Sequence, residues 1–452
     1  MSIGERELPG TGTTTAVPVP GWAAVRPLLL RLHFYAGVFV GPFLLVAALT
    51  GIAYIYTPQL EQALYAHELH VPAAPGVVSL DRQAQIAQGL VPDGTITGVR
   101  PGVNATDTTQ VIFDRPGLAE SYHWTVFVNP HDGEVRGSLE TYGSSQALPV
   151  RGWIDTLHRS LHLGDVGRLY SELAASWLWV IVLAGLVLWI GRRRKHKRAR
   201  ALLVPAGGKA GHRRLLSWHG VVGLWAAAGL LFLSATGLSW SLHAGANISD
   251  LRTALDWTTP SVPSTVSPAV APGTDIGYQA ARDATTQAGL SGPVEVRPPT
   301  AAGKGYVVQQ VGRTWPVKQD SMAVDPATGQ VTGTLRFADY PPAAKLTTWG
   351  IAAHMGLLFG LANQIVLTIL ALALVFLICW GYRMWWLRRP TRGFGRAPVR
   401  GAWRRVPGNI LAPLLIAAAV VAYFLPVLGV PLLAFLALDI SLGLRAMKKA
   451  AA

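Results

Sequence analysis

The chain has 452 residues, of which half are apolar and 14% charged, and it carries a formal net charge of +15. That balance places it among membrane proteins. Its single cysteine, Cys379, excludes an intramolecular disulfide, a cysteine cluster and a Cys-x-x-Cys-His motif.

In chain order, residues 1–27 form an N-terminal segment and Leu28 to Tyr56 a first membrane helix. This apolar run is too long for a signal-peptide core and has no small-residue cleavage site, so it should stay attached. A domain of mixed charge follows over residues 57–167. Within it, Ser79 to Leu90 opens on a Ser N-cap and reads as a helix. Gln110 to Asp114 and Trp124 to Val128 alternate as strands before an Asn-Pro-His-Asp-Gly turn. Arg168 to Gly191 is the second membrane helix, residues 192–214 a basic loop, and Leu215 to Leu242 the third helix. The second domain, 243–362, offers Tyr278 to Gly289 as a helix, then strands at 294–297, 305–310 and 321–324 before Asp-Pro-Ala-Thr-Gly. A fourth helix, Asn363 to Leu387, a basic loop over 388–409 and a C-terminal hairpin over 410–446 complete the chain. Its two arms are Ile410 to Phe424 and Val430 to Ala446, with Pro426 and Pro431 bracketing the turn. A hydrocarbon core of about 30 Å takes roughly 20 helical residues, which the four longer stretches supply.

Charge sets an expected topology. Gly191 to Leu216 holds ten Lys or Arg and no acid, and Arg383 to Arg405 holds eight and none. Short loops of that kind stay in the cytoplasm, so both termini are expected inside and both long domains outside. Because the first basic run directly follows a hydrophobic helix, lipid contact is its expected role and no nucleic-acid partner is expected.

The chain repeats itself. Trp153, His158, Gly185, Trp189 and Arg192 recur 196 positions later as Trp349, His354, Gly381, Trp385 and Arg388, and Val128-Asn-Pro recurs as Val324-Asp-Pro. At the front of each half the displacement is 186, which matches His33, Gly37, Thr50 and Gly51 with His219, Gly223, Thr236 and Gly237. An insertion of about ten residues is therefore expected in the second half. The Thr-Ser-Pro-Val-rich segment Thr258 to Pro272 is its expected place, with a composition too poor in apolar surface to order itself. Duplicated histidines at membrane edges point to a bound metal centre. Two histidines without a nearby Cys or carboxylate make a poor zinc site.

In this order of elements, with Leu157-His158-Arg159-Ser160-Leu161, the turns after Val128 and Val324, and Ala353-His354-Met355-Gly356, the chain resembles the PepSY-associated transmembrane family from about residue 25 to 395. Ala353 stands where that family commonly has Leu before the histidine. The resemblance implies an iron-regulated, multi-pass inner (cytoplasmic) membrane protein, mainly α, with two tandem repeats of helix, outer α+β PepSY-like domain and helix. The repeats would form a four-helix haem-binding bundle, followed by the two-helix C-terminal hairpin. Some members resemble ferric-siderophore reductases that carry haem b, which here would be two haems held without thioether links.

Haem b in a bundle needs an imidazole on each side of the iron. His33 and His219, near the starts of the first and third helices, are one candidate pair. His158 and His354, read at the outer ends of the second and fourth helices, are the other. Gly37 and Gly223 follow their histidines by four residues on the same helical face, where a flat macrocycle could approach, or where helices simply cross. His162, four residues after His158 and matched by Leu358, is a spare ligand if the segment is helical. The reading is a membrane oxidoreductase that carries electrons to a ferric-siderophore-like acceptor. The sequence has no Rossmann, flavin or P-loop motif, which leaves reduced flavin, a quinol or a reductase as donor. A non-enzymatic PepSY-type regulator and a membrane transporter are the alternatives.

Overall fold

A computed structural model describes residues 21–193, 200–205, 211–266, 275–388 and 401–451. In chain order the elements are α1 (Trp22–Ile55), α2 (Thr57–Leu64), α3 (Ala66–Leu69), α4 (Leu80–Leu90), β1 (Thr95–Arg100), β2 (Thr109–Asp114), β3 (Tyr122–Val128), β4 (Val135–Tyr142), α5 (Pro149–Ser160), α6 (Gly164–Arg193) and α7 (Arg200–Leu203). They continue as α8 (His212–Leu238), α9 (His243–Ala254), α10 (Gly277–Gln287), β5 (Val294–Arg297), β6 (Tyr306–Gln310), β7 (Ser321–Val324), β8 (Val331–Leu335), α11 (Pro342–His354), α12 (Leu361–Trp386), α13 (Gly408–Phe424) and α14 (Pro426–Ala451). Five helices are long and apolar enough to cross a membrane: α1, α6, α8, α12 and the Pro426–Arg445 part of α14. The 17-residue α13 is apolar but shorter. The hairpin turn falls at Leu425, with Pro426 opening α14 and Pro431 inside it, so the two prolines do not bracket the turn. The basic runs lie partly outside the described residues.

The described chain forms two compact units. One takes its residues from Met1–Pro42, Leu173–Ser234 and Phe376–Ala452, the other from Phe43–Glu172 and Ala235–Val375.

In the first unit, helix α1 contains Pro42, which has no N–H to give the carbonyl four residues earlier. That carbonyl, on Val38, accepts a hydrogen bond from the Tyr382 hydroxyl at 2.6 Å. Gly41 makes the approach possible, since a Cβ there would lie 3.3 Å from the tyrosine ring. A main-chain group left bare in hydrocarbon costs several kcal/mol, so the tyrosine is structural. Helix α14 packs on α13. It is tied to α1 by an ion pair between Arg31 and Asp439 and by contact of the Tyr35 and Phe435 rings.

The second unit is built on an eight-stranded antiparallel sheet of order β4-β3-β2-β1-β5-β6-β7-β8. Val99, Val111, Val126 and Val128 on one side, and Val296, Val308 and Val324 on the other, have no exposed surface. Each fully buried Val contributes roughly 1.5–3 kcal/mol. Helices α4 and α10 cover them with small residues, Ala84, Ala87 and Ala281, which let the helix backbone approach the sheet. Ser79 caps α4, accepting from the Arg82 amide, as its position in the sequence implies. The segments read as two α+β modules share this one sheet, through the Val99–Val296 pair of β1 and β5. An ion cluster of Arg100, Glu295 and Arg297 reinforces that seam. The sequence pattern does not pick out β1 and β4, because Gly98 and Gly137 interrupt their alternation.

The expected disorder of Thr258 to Pro272 is corrected where it is described. Val262 and Val266 are buried, and the segment runs beside residues 303–305, just ahead of β6, with Val266 donating to the Gly303 carbonyl and Gly305 donating to that of Ser264. Two buried valines and main-chain partners at Gly303 and Gly305 supply what average composition does not suggest. Residues 267–272 lie outside the described ones.

Candidate functional site: two pairs of histidines

His33 projects from α1 onto one turn of α6. Its Nδ1 donates to the Ile181 carbonyl at 2.9 Å, and one turn further on, a Cβ at Gly185 would come within 2.9 Å of the imidazole Cε1. A carbonyl can only accept, so the proton is on Nδ1 and the Nε2 lone pair is left free. His219 on α8 meets α12 in the same manner. The Leu377 carbonyl lies against its ring and Gly381 leaves space beside it, though the buried Nδ1 completes no hydrogen bond of good geometry. The two rings face each other with centroids 6.1 Å apart and planes at 80°.

The second pair is held by side chains. Thr50 Oγ1 donates to the Val46 carbonyl at 2.8 Å, so toward His158 Nδ1, 3.0 Å away, it can only accept. This again places the proton on Nδ1 and frees Nε2. Gly51 lets the ring in, a Cβ there lying 3.3 Å from His158 Cε1. Thr236 Oγ1 makes the matching contact to His354 Nδ1 at 2.6 Å, and Trp240 packs edge-on to that ring. Burial pushes the His158 pKa down to about 4 and that of His354 to about 3, the latter helped by the nearness of His158. Both imidazoles are neutral at physiological pH, as ligation requires.

The outer histidines do not cap the membrane helices, at whose outer ends the sequence pattern puts them. His158 belongs to α5 and His354 ends α11, each a separate helix followed by a turn before α6 or α12. In the first turn Leu161 and His162 are left-handed, with φ of 51° and 57°. The break takes His162 off the face of His158 and lays its ring on Trp153, 4.8 Å between centroids. A Cβ at Gly37 would have no atom within 4 Å, and one at Gly223 would meet only Leu377, at 3.7 Å. The threonines that orient the outer rings are visible in the sequence as repeat markers beside Gly51 and Gly237. Their signal is duplication at a fixed offset from the histidines.

A family description, PepSY-associated TM region, matches residues 30–388. The chain belongs to this family. No curated protein matches it. As a PepSY-associated membrane protein, the chain can be tested for fit to haem on its own residues. Two metal–imidazole bonds of about 2.0–2.1 Å on opposite sides of one ion, with a ring radius added at each end, span roughly 6 Å. The His33–His219 separation agrees with that. All four histidines lie deep in their units without being fully buried as residues. Among the described residues of this PepSY-associated protein no three His, Cys, Asp or Glu side chains converge as a cage for a bare ion would need. The donor set, paired neutral imidazoles with nothing else at hand, suits an ion that brings its own equatorial ligands.

Proposed function

We propose that this protein is a transmembrane di-haem electron-transfer protein that reduces a ferric siderophore or other ferric chelate on the outer face, with electrons from the cytoplasmic side or the membrane, in iron uptake. The observation that carries the reading is the orientation of the imidazoles. His33 and His158 are held in the tautomer that leaves Nε2 free, and each has a second imidazole close by, His219 or His354. Haem bound at each pair would supply a one-electron carrier. The chain's own residues would hold the imidazoles: Ile181 holds His33 through a main-chain carbonyl, and Thr50 and Thr236 hold His158 and His354 through hydroxyls. Such partners hold ring orientation and raise ligand basicity. On the charge of the loops, both termini lie in the cytoplasm and the two long domains, 57–167 and 243–362, outside.

The test is a dithionite-reduced minus air-oxidised visible spectrum with pyridine haemochrome quantification, on wild type and on His33→Ala and His354→Ala. Two b haems per chain in wild type and about one in each variant are expected. A colourless protein from haem-replete cells overturns the reading.

A further inference from the structure

Beside the outer histidines the second unit gathers more positive than negative charge. Arg151 lies two turns before His158 on α5, on the same face. Its side chain is 8% exposed and bonds Tyr54 Oη through Nε at 3.3 Å and Glu61 through Nη1 at 3.4 Å, but its buried Nη2 has no partner. Arg313, on the loop between β6 and β7, lies within electrostatic reach of Arg151. Among the described residues its guanidinium hydrogen-bonds the Ser144 hydroxyl at 3.1 Å and the sulfur of Met355, the residue after His354, at 3.6 Å, and no other. Among the described residues no carboxylate pairs with it. Glu61 serves Arg151, Asp155 lies near Arg151 and Arg159, and Glu295 is shared by Arg100 and Arg297. The three guanidinium groups of Arg151, Arg159 and Arg313 therefore face two carboxylates, those of Glu61 and Asp155.

A half-buried guanidinium with no counter-charge, next to a second one with an unbonded N–H, is costly unless an anion completes it. The fork of N–H groups on arginine matches the two oxygens of a carboxylate. We propose that Arg151 and Arg313 form a carboxylate-binding site beside the outer histidine pair. The carboxylate has two sources, a haem side chain or a soluble carboxylate chelate. Only the first rests on the di-haem reading.

The experiment uses the full-length chain in nanodiscs, with Arg313→Gln and Arg313→Lys. These variants spare the Arg151–Glu61 pair. In a His33→Ala background, apoprotein is titrated with haem b and with its dimethyl ester, read by Soret absorbance. Separately, the melting temperature of apoprotein is followed with citrate, and with chloride at matched ionic strength. If the carboxylate is that of haem, haem b binds roughly tenfold or more tightly than the ester, Arg313→Gln abolishes the preference and Arg313→Lys keeps part of it. If it is that of a chelate, the ester ratio stays near one, while citrate raises the melting temperature of wild type and not of Arg313→Gln. Loss of neither response in Arg313→Gln overturns the site. A protein that takes up no haem defeats the di-haem reading, and the citrate series then decides the carboxylate site alone.

Discussion

The inner and outer histidine pairs have the same design with different materials. At the inner pair the acceptor that orients His33 is a main-chain carbonyl, which no substitution removes and which can only accept. At the outer pair the acceptor is a threonine hydroxyl, a group that could donate or accept and is limited to accepting by its own bond to Val46. The inner ring is set by the path of a helix, the outer one by a side chain. The first is robust, and the second is open to adjustment by a single substitution.

The largest expected effect is at Gly185. The Ile181 bond fixes His33 on the turn where a Cβ would be 2.9 Å away, so Gly185→Leu must displace the ring. Haem content should fall by about one per chain while the outer site stays occupied, by haemochrome assay of the variant and of Gly185→Leu combined with His354→Ala. Loss of both haems from the single variant would break the independence of the two pairs.

Next comes removal of the hydroxyls. Thr50→Val and Thr236→Val should each weaken haem binding at the outer pair by about 10–100-fold, the usual cost of an outer-shell partner, and Ser at either position should restore it. The loss should be greater at Thr236, since the Ala47 carbonyl beside His158 remains as a second acceptor. Equal losses would show that Ala47 does not substitute for the hydroxyl.

A smaller change is expected from Gly37→Ala. No protein atom lies within 4 Å of the added methyl, and Ala favours a helix by about 1 kcal/mol over Gly, so the apoprotein should be as stable as wild type or more so. A few-fold drop in haem affinity would mark the space as the macrocycle's. Unchanged affinity would leave Gly37 a residue of helix packing only.

His131 supplies a contrast and the smallest effect. Its Nδ1 bonds the Gly76 carbonyl at 2.9 Å and its Nε2 the Ala105 carbonyl at 2.7 Å, so both nitrogens donate and no lone pair is left for a metal. These bonds raise its pKa above the ordinary value of 6.5. A raised folded-state pKa means that the contribution is complete below pH 6.5 and is lost as pH rises through the folded value. Hydrogen exchange of the Gly76 and Ala105 segments should quicken over that window, and His131→Gln should remove the pH dependence.

Much of this is legible in the sequence, because apolar runs and basic loops are long signals and because duplication labels residues in pairs. The helices α1, α6, α8 and α12 and the strands at Gln110, Trp124 and Val294 follow from such patterns. The separation of His158 from α6 does not, since the turn begins on Leu161 and His162, both left-handed although neither is a glycine, ahead of Gly164. Nor can the shared sheet be read, since pairing of Val99 with Val296 joins edges almost two hundred residues apart. The ring partners are half visible. Thr50 and Thr236 repeat with the histidines, but a carbonyl such as that of Ile181 has no letter of its own.

The proline of α1 also bears on how two similar halves could diverge. Counting by the front displacement, Pro42 corresponds to Ala228, and by the later one Tyr382 corresponds to Leu186. The counterparts fall on α6 and α8, and that pair of helices lacks both the proline and the hydroxyl. A missing amide and the phenol that compensates for it thus form one coupled unit spread over two helices. Neither is neutral alone: proline at 228 without a donor at 186 would strand the carbonyl of Leu224 in hydrocarbon, whereas a tyrosine placed first would have to bury an idle hydroxyl.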